Sequence, residues 1–245
     1  MMDFSIITGN IDIYLEGLKN TLILVSLSLI IGLLLAIPLA VLRVVGNSFV
    51  QFPIRAFVFF FRGTPLLVQM FLVYYGFGQF EFMRDSFVWP LFKEAYFCAL
   101  LTFSLNTCAY TVEILRGSIV ATPEGEVEAA TAAGMSKFLM LRRIVLPSAF
   151  RRALPAYSNE IIFMLHGSAL ASVITIVDIT GAARIINSRF YSPYEAFITA
   201  ALFYMAITFT LVFFIRRLEK KWHAHLQPED QSVVKIEAPH ENIAG

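Results

Sequence analysis

EAATAAGMSKFLMLRRIVLP, residues 128–147, is the stretch on which the reading of this 245-residue chain turns. The triplet Glu128-Ala129-Ala130 is followed by Gly134 six residues after the Glu, by Ile144 ten residues later, and then by Leu146-Pro147. Gly134 is placed to close one short helix and Ser136 to cap the next. The spacing predicts a compact helix-turn-helix, with Pro147 stopping the second helix and setting the angle of return. The segment is basic and has a long apolar run on either side. A projection of that kind implies a partner that grips it.

Working outward, the composition fits a membrane location. Hydrophobic residues make up 58% of the chain and charged residues 15%, and mean hydropathy is +0.70. A soluble domain of this length needs a larger polar shell. A net charge of +1 argues against nucleic acid as the partner, since phosphate binding needs a clustered basic face. Cys98 and Cys108 fall in one apolar segment and read as small buried hydrophobes.

Crossing a hydrocarbon core of ~30 Å takes roughly 20 helical residues. Five runs qualify: 21–42, 56–80, 95–115, 154–177 and 194–215. Lipid offers no partner for a free backbone N–H, so each is expected to be helical. The expected fold class is therefore all-α, a polytopic membrane domain over 21–218. A short segment, 1–20, precedes it, and a partly disordered tail, 219–245, follows. The residues before the first run carry Asp3, Asp12 and Glu16 against Lys19, the wrong charge for a signal peptide.

Cations set the expected orientation. Arg43 and Arg55 lie between runs one and two. Arg116, Lys137, Arg142, Arg143, Arg151 and Arg152 lie between three and four, and Arg216, Arg217, Lys220 and Lys221 follow run five. An outside N-terminus and an inside C-terminus put all of these in the cytoplasm. The loop 116–152 then faces the compartment that holds ATP.

The chain carries no Gly-rich loop ending in Gly-Lys-Ser/Thr. It has no Ser/His/Asp arrangement, and His166, His223, His225 and His240 follow no metal-ligand spacing. Neither catalysis nor a metal is expected, and the driving energy must come from elsewhere.

Four blocks carry a resemblance that runs from the first span to about Trp222. They are Phe61-Arg62-Gly63-Thr64-Pro65-Leu66-Leu67-Val68-Gln69, Leu105-Asn106-Thr107-Cys108-Ala109-Tyr110, the Glu-Ala-Ala loop, and Pro155-Ala156-Tyr157-Ser158-Asn159-Glu160. Together they resemble the permease subunits of ATP-binding-cassette importers for polar amino acids. The likeness is strongest to those for histidine, lysine, arginine and ornithine, including the octopine/nopaline group. The segment 177–184 is similar to arginine/ornithine permeases. The resemblance implies a type I importer permease fold, MetI-like, with five spans and a cytoplasmic coupling loop. It implies a second, related permease subunit, two cytoplasmic ATPase subunits that bind ATP and Mg, and a periplasmic amino acid binding protein. It also implies that Glu128, Ala129, Ala130, Gly134, Ile144, Leu146 and Pro147 form the ATPase-coupling element.

The residues support this physically. Thr122-Pro123 is a suitable helix start, and Glu124, Glu126 and Glu128 complement the helix dipole. The alanines allow a facing groove to approach closely. A loop helix packed only on its own domain is the plainer reading.

Gly63-Thr64-Pro65 is expected to kink the second span and is a candidate hinge, with Arg62 snorkelling to the cytoplasmic interface. Glu113 is expected to pair with Arg116 at i,i+3. Asn106, Glu160 and His166 lie within spans, where polar groups face a cavity or a partner. They are the candidate substrate pathway, and a carboxylate at Glu160 suits a guanidinium or ammonium group. A salt bridge from Glu160 to Arg151 or Arg152, and a core hydrogen bond for His166, are the plainer alternatives. Resembling permeases carry Lys-Asp where this chain has His166-Gly167, so the sister subunit is a candidate holder of the substrate. Rival functions are a permease for another polar amino acid such as glutamine, an ion-coupled secondary transporter, and a scaffold without transport.

Overall fold

A computed structural model describes residues 5–222 of the chain. Every regular element among them is helical. The order is α1 (Ser5–Thr8), α2 (Ile11–Val45), α3 (Ser48–Gly63), α4 (Leu66–Phe71), α5 (Glu81–Arg84), α6 (Trp89–Phe92), α7 (Ala95–Val120), α8 (Glu124–Ala132), α9 (Lys137–Met140), α10 (Leu146–Gly167), α11 (Ile179–Phe190) and α12 (Pro193–Trp222). A π segment, Leu72–Gly76, and a 3-10 turn, Phe77–Gln79, prolong α4. A second π segment, Leu141–Val145, joins α9 to α10, and a 3-10 run, Ser168–Ile174, prolongs α10.

Three helices are long and apolar enough to cross a membrane, and the number rises to 5 if each bent pair is one span. Helix α2 starts at Ile11, ten residues ahead of the uncharged run, because Tyr14, Gly17 and Thr21 bury against α11 and α12. The second run is bent by 107° at its break, and the helix that carries the fourth meets α11 at 45°. The tail expected over 219–245 lies, from 223 on, outside the described residues.

Buried apolar residues form three clusters stacked along the long axis. Tyr14, Ile179, Ala182, Ile186 and Ala196 make one end. Leu24, Met70, Phe103, Leu165 and Ile174 make the middle. Ala36, Ile54, Val112, Leu115, Val145 and Ala149 make the other end, where the basic loops gather. Following each helix through these clusters gives its direction. Helices α2, α7 and α12 run towards the basic end, whereas α3–α4 and α10 run away from it. The chain therefore alternates, and its first and last long helices run the same way.

Helices α2 and α7 approach most closely because small residues face each other. Ser28, Gly32, Ala36 and Ala40 recur every four residues along α2, and Ser104, Thr107, Cys108 and Thr111 face them from α7. A side chain at Gly32 would collide with Thr107 and the backbone at Ser104. Small residues at a membrane-helix contact let backbones approach, and dispersion holds the pair.

Helix α11 lies between the fourth and fifth apolar runs, where no span was expected. Asp178 caps it, accepting from Gly181 N at 2.7 Å and from Tyr204 Oη at 3.1 Å. Ile179, Ala182, Ala183 and Ile186 form its buried stripe at helical spacing. Asp178 itself is fully buried, so it is an internal cap rather than a solvated loop acid.

Candidate functional site: a capped protrusion and a broken-helix cavity

The protrusion is built by two caps. Gly134 adopts φ +74, a conformation that costs a side-chain-bearing residue roughly 1–2 kcal/mol. It closes α8 with Met135 N donating to Ala130 O (3.1 Å) and Gly134 N to Thr131 O (2.9 Å), the paired pattern that satisfies a helix's last carbonyls. Ser136 then caps the next helix, accepting from Leu139 N at 3.3 Å. A Cβ at Gly134 would meet nothing within 4 Å, so the requirement for glycine is one of backbone alone.

Two local expectations are corrected. Thr122 does not cap α8. Its hydroxyl donates back to Ile119 O at 2.7 Å and closes α7, and α8 starts after Pro123. Pro147 does not stop the second helix either. It occupies the first turn of α10 inside continuous helix. The π segment before it widens the turn and accommodates the absent N–H.

Ala129, Ala130, Ile144 and Pro147 line one hollow of about 510 Å³ between α8 and α10. Glu128 and Gly134 are exposed on the outer surface, and Leu146 packs into the end cluster. Arg152, to which the sequence reading gave no part here, ties the protrusion to the bundle. It donates to Ser118 O (3.2 and 3.3 Å), Thr122 Oγ1 (2.8 Å) and Ser148 Oγ (2.6 Å). Ser148 in turn donates to Glu126 of α8 at 3.5 Å.

The second region surrounds Gly63, Thr64 and Pro65. The chain does not merely kink there. Helix α3 ends at Gly63, Thr64 is extended (φ −117, ψ 146), and α4 begins after Pro65. A residue before proline is driven out of the helical region. The carbonyls this frees are met by side chains. Gln69 Nε2 donates to Phe61 O (2.8 Å), Thr64 O (3.0 Å) and Thr64 Oγ1 (2.8 Å). Asn106 Nδ2 donates to Gln69 Oε1 (3.0 Å) and Phe61 O (3.3 Å). Asn106 is thus a clamp on the break as well as a wall of the cavity beside it.

That cavity, about 310 Å³, is lined by Leu66, Asn106, Tyr110, Glu160, Phe163 and Met164. Glu160 is 6% exposed and has no salt-bridge partner among the described residues. It faces Thr107, whose hydroxyl has no other partner, and feels the Arg62 charge through space. The alternative pairing with Arg151 or Arg152 is absent: Arg151 lines the hollow at α8, and Arg152 is engaged as above. His166 is not brought to this cavity, nor is it a core residue. It is exposed, 3.2 Å from Thr208 Oγ1 on α12, because it falls on a different face of α10 from Glu160.

The Arg62 guanidinium lies over the Tyr110 ring, 5.2 Å from the centroid. Glu113 holds Arg116 (2.8 Å), as expected, and also Arg43 (2.9 Å). That second pair joins α2 to α7.

The profile of the family described as "Binding-protein-dependent transport system inner membrane component" matches residues 28–224. The chain belongs to that family. This inner membrane component is 47% identical over 213 residues to the histidine/lysine/arginine/ornithine transport system permease protein HisM of Escherichia coli K12, covering 86% of this chain and 90% of the relative. It is 46% identical to the nopaline transport system permease protein NocM of Agrobacterium fabrum, covering 86% and 88%. Among solved structures, it resembles a chain of an amino acid ABC transporter crystallised with histidines, at TM-score 0.81 and 31% identity over 90% of this chain and 99% of that one. The MetNI methionine transporter in an inward-facing form shares the fold at TM-score 0.72 and 16% identity, covering 86% and 96%. The all-helical, MetI-like permease architecture expected from the sequence is the one observed.

Proposed function

We propose that this inner membrane component is the translocating subunit of an ATP-driven importer for basic amino acids. It acts beside a second, related permease subunit, two ATPase subunits that bind ATP and Mg, and a periplasmic binding protein. The observation that carries the substrate class is the buried Glu160, without a salt-bridge partner among the described residues, in a cavity at the helix break. A carboxylate away from bulk water attracts a guanidinium or ammonium group far more strongly than at a surface. The relatives named for histidine, lysine, arginine, ornithine and nopaline transport point the same way.

The drive enters through α8. Its outer surface, with Glu128 and Gly134, meets the ATPase, and the hollow formed by Ala129, Ala130, Ile144 and Pro147 receives or abuts the partner. Arg152 carries the displacement into α7 and α10. The basic end of the bundle faces the cytoplasm, with the N-terminus outside, by the distribution of cations. Gly63-Thr64-Pro65 is the flexing point beside the cavity.

The reading is tested by uptake into vesicles bearing the assembled complex, with labelled arginine competed by ornithine, histidine, lysine and glutamine. The basic amino acids compete and glutamine does not. Uptake that follows an ion gradient and ignores ATP contradicts the proposal.

A further inference from the structure

Two adjoining hollows at the helix break carry opposite excess charge. The Glu160 cavity has one acid and no cation in its lining. Its neighbour, about 510 Å³, is lined by Arg43, Arg55 and Arg62 against Glu113 alone. Glu113 is already held by Arg43 and by Arg116, so the surplus is positive. Tyr110 lines both hollows. Arg62 stacks on that ring and has no acid within salt-bridge distance among the described residues. Beside it, Gly63 leaves open space where a side chain would stand.

From this we infer that Arg62, braced on Tyr110, is a carboxylate subsite for the cargo. A basic α-amino acid spans Tyr110, its side-chain cation towards Glu160 and its α-carboxylate on Arg62. The inference rests on the reading that the Glu160 cavity receives a basic amino acid. Arginine suits the role because its planar fork matches a carboxylate with two parallel hydrogen bonds. Arg62 is exposed, so an incoming carboxylate can reach its guanidinium. The placement is also fixed from behind, since Phe61 O, one residue away, is bonded by both Gln69 and Asn106. Such a site demands both charges on one molecule. An amine that keeps the cation but lacks the carboxylate leaves Arg62 unpaired and is rejected.

The test is direct binding to the assembled complex in nanodiscs of neutral phosphatidylcholine, without the binding protein, so that its own selectivity does not enter. Labelled arginine is competed by arginine and by agmatine, its decarboxylated analogue. The parent prefers arginine by roughly tenfold or more, the scale of one lost charge-assisted pair. Arg62→Gln loses that preference by weakening arginine and leaving agmatine unchanged, and Arg62→Lys falls between. Glu160→Gln weakens both ligands. If Arg62→Gln keeps the preference while Glu160→Gln weakens both, the carboxylate subsite is wrong and the cavity reading survives. If Glu160→Gln changes nothing, or the parent binds neither ligand, both readings fail. An effect of Arg62→Gln that needs anionic phospholipid in the disc assigns the arginine to a lipid phosphate and overturns the subsite.

Discussion

Pro65 and Pro147 both stand at the junction of two helical segments, yet the chain turns by 107° at the first and runs through the second in continuous helix. Pro38, Pro53 and Pro155 also lie within unbroken helices, so proline by itself does not decide. At Pro65 the freed carbonyls find donors from Gln69 and Asn106. At Pro147 a π segment absorbs the missing hydrogen bond instead. In a membrane protein a helix breaks where side chains can replace what the backbone gives up. The two junctions match the two proposed tasks: a break where cargo is held, and a stiff, continuous lever where force enters.

This comparison is most exposed at Gln69. Replacing it by leucine removes the donors to Phe61 and Thr64 and the acceptor for Asn106, and should cost about 3 kcal/mol. The check is the thermal unfolding midpoint of the purified complex. An unchanged midpoint would mean that the break holds without its clamp.

Arg152→Gln comes next, at about 2 kcal/mol, because hydrogen bonds from a charged donor join α7, α8 and α10 there. Its sharper readout is uptake per ATP hydrolysed, which should fall while hydrolysis continues. A purely structural residue would lower both in parallel.

Glu113→Gln should cost roughly 1–2 kcal/mol by weakening the bonds from Arg43 and Arg116. Limited proteolysis of the loop between α2 and α3 should then accelerate.

The smallest effects are expected at the prolines themselves. Pro65→Ala should shift the midpoint by less than about 1 kcal/mol, since Gln69 and Asn106 still hold the bend. Pro147→Ala should do less, since the π segment already carries the helix through that position without the bond. A large loss at Pro65 alone would return the break to proline and weaken the contrast.

What could be read from the sequence was whatever local chemistry fixes. Gly134 and Ser136 announced their caps because one needs a permissive backbone and the other a short acceptor side chain. The apolar runs announced helices because lipid leaves no other choice. Thr122-Pro123 misled by its letters, since the threonine served the helix behind it. The role of Gln69 was hidden although it stood inside a quoted block, because its partners Phe61 and Asn106 are set by the fold. Helix α11 left a legible signal, an Asp cap followed by Ile179, Ala182, Ala183 and Ile186, which a count of spanning runs alone passed over. His166 and Glu160 looked equivalent in sequence. They part only when the faces of α10 are resolved, one towards Thr208 and the other into the cavity.

Force from an ATP-hydrolysing partner is proposed to enter through the α8 protrusion. That route is tested most directly by measuring ATP hydrolysis and arginine uptake on one preparation of the complex carrying Gly134→Val. The substitution strains the φ +74 turn, and its Cβ stands in open space. The account predicts a folded membrane subunit whose uptake per ATP falls at least about tenfold, a loss of ~1.4 kcal/mol or more in coupling. A complex that keeps its partners and the parental ratio of uptake to hydrolysis would contradict it.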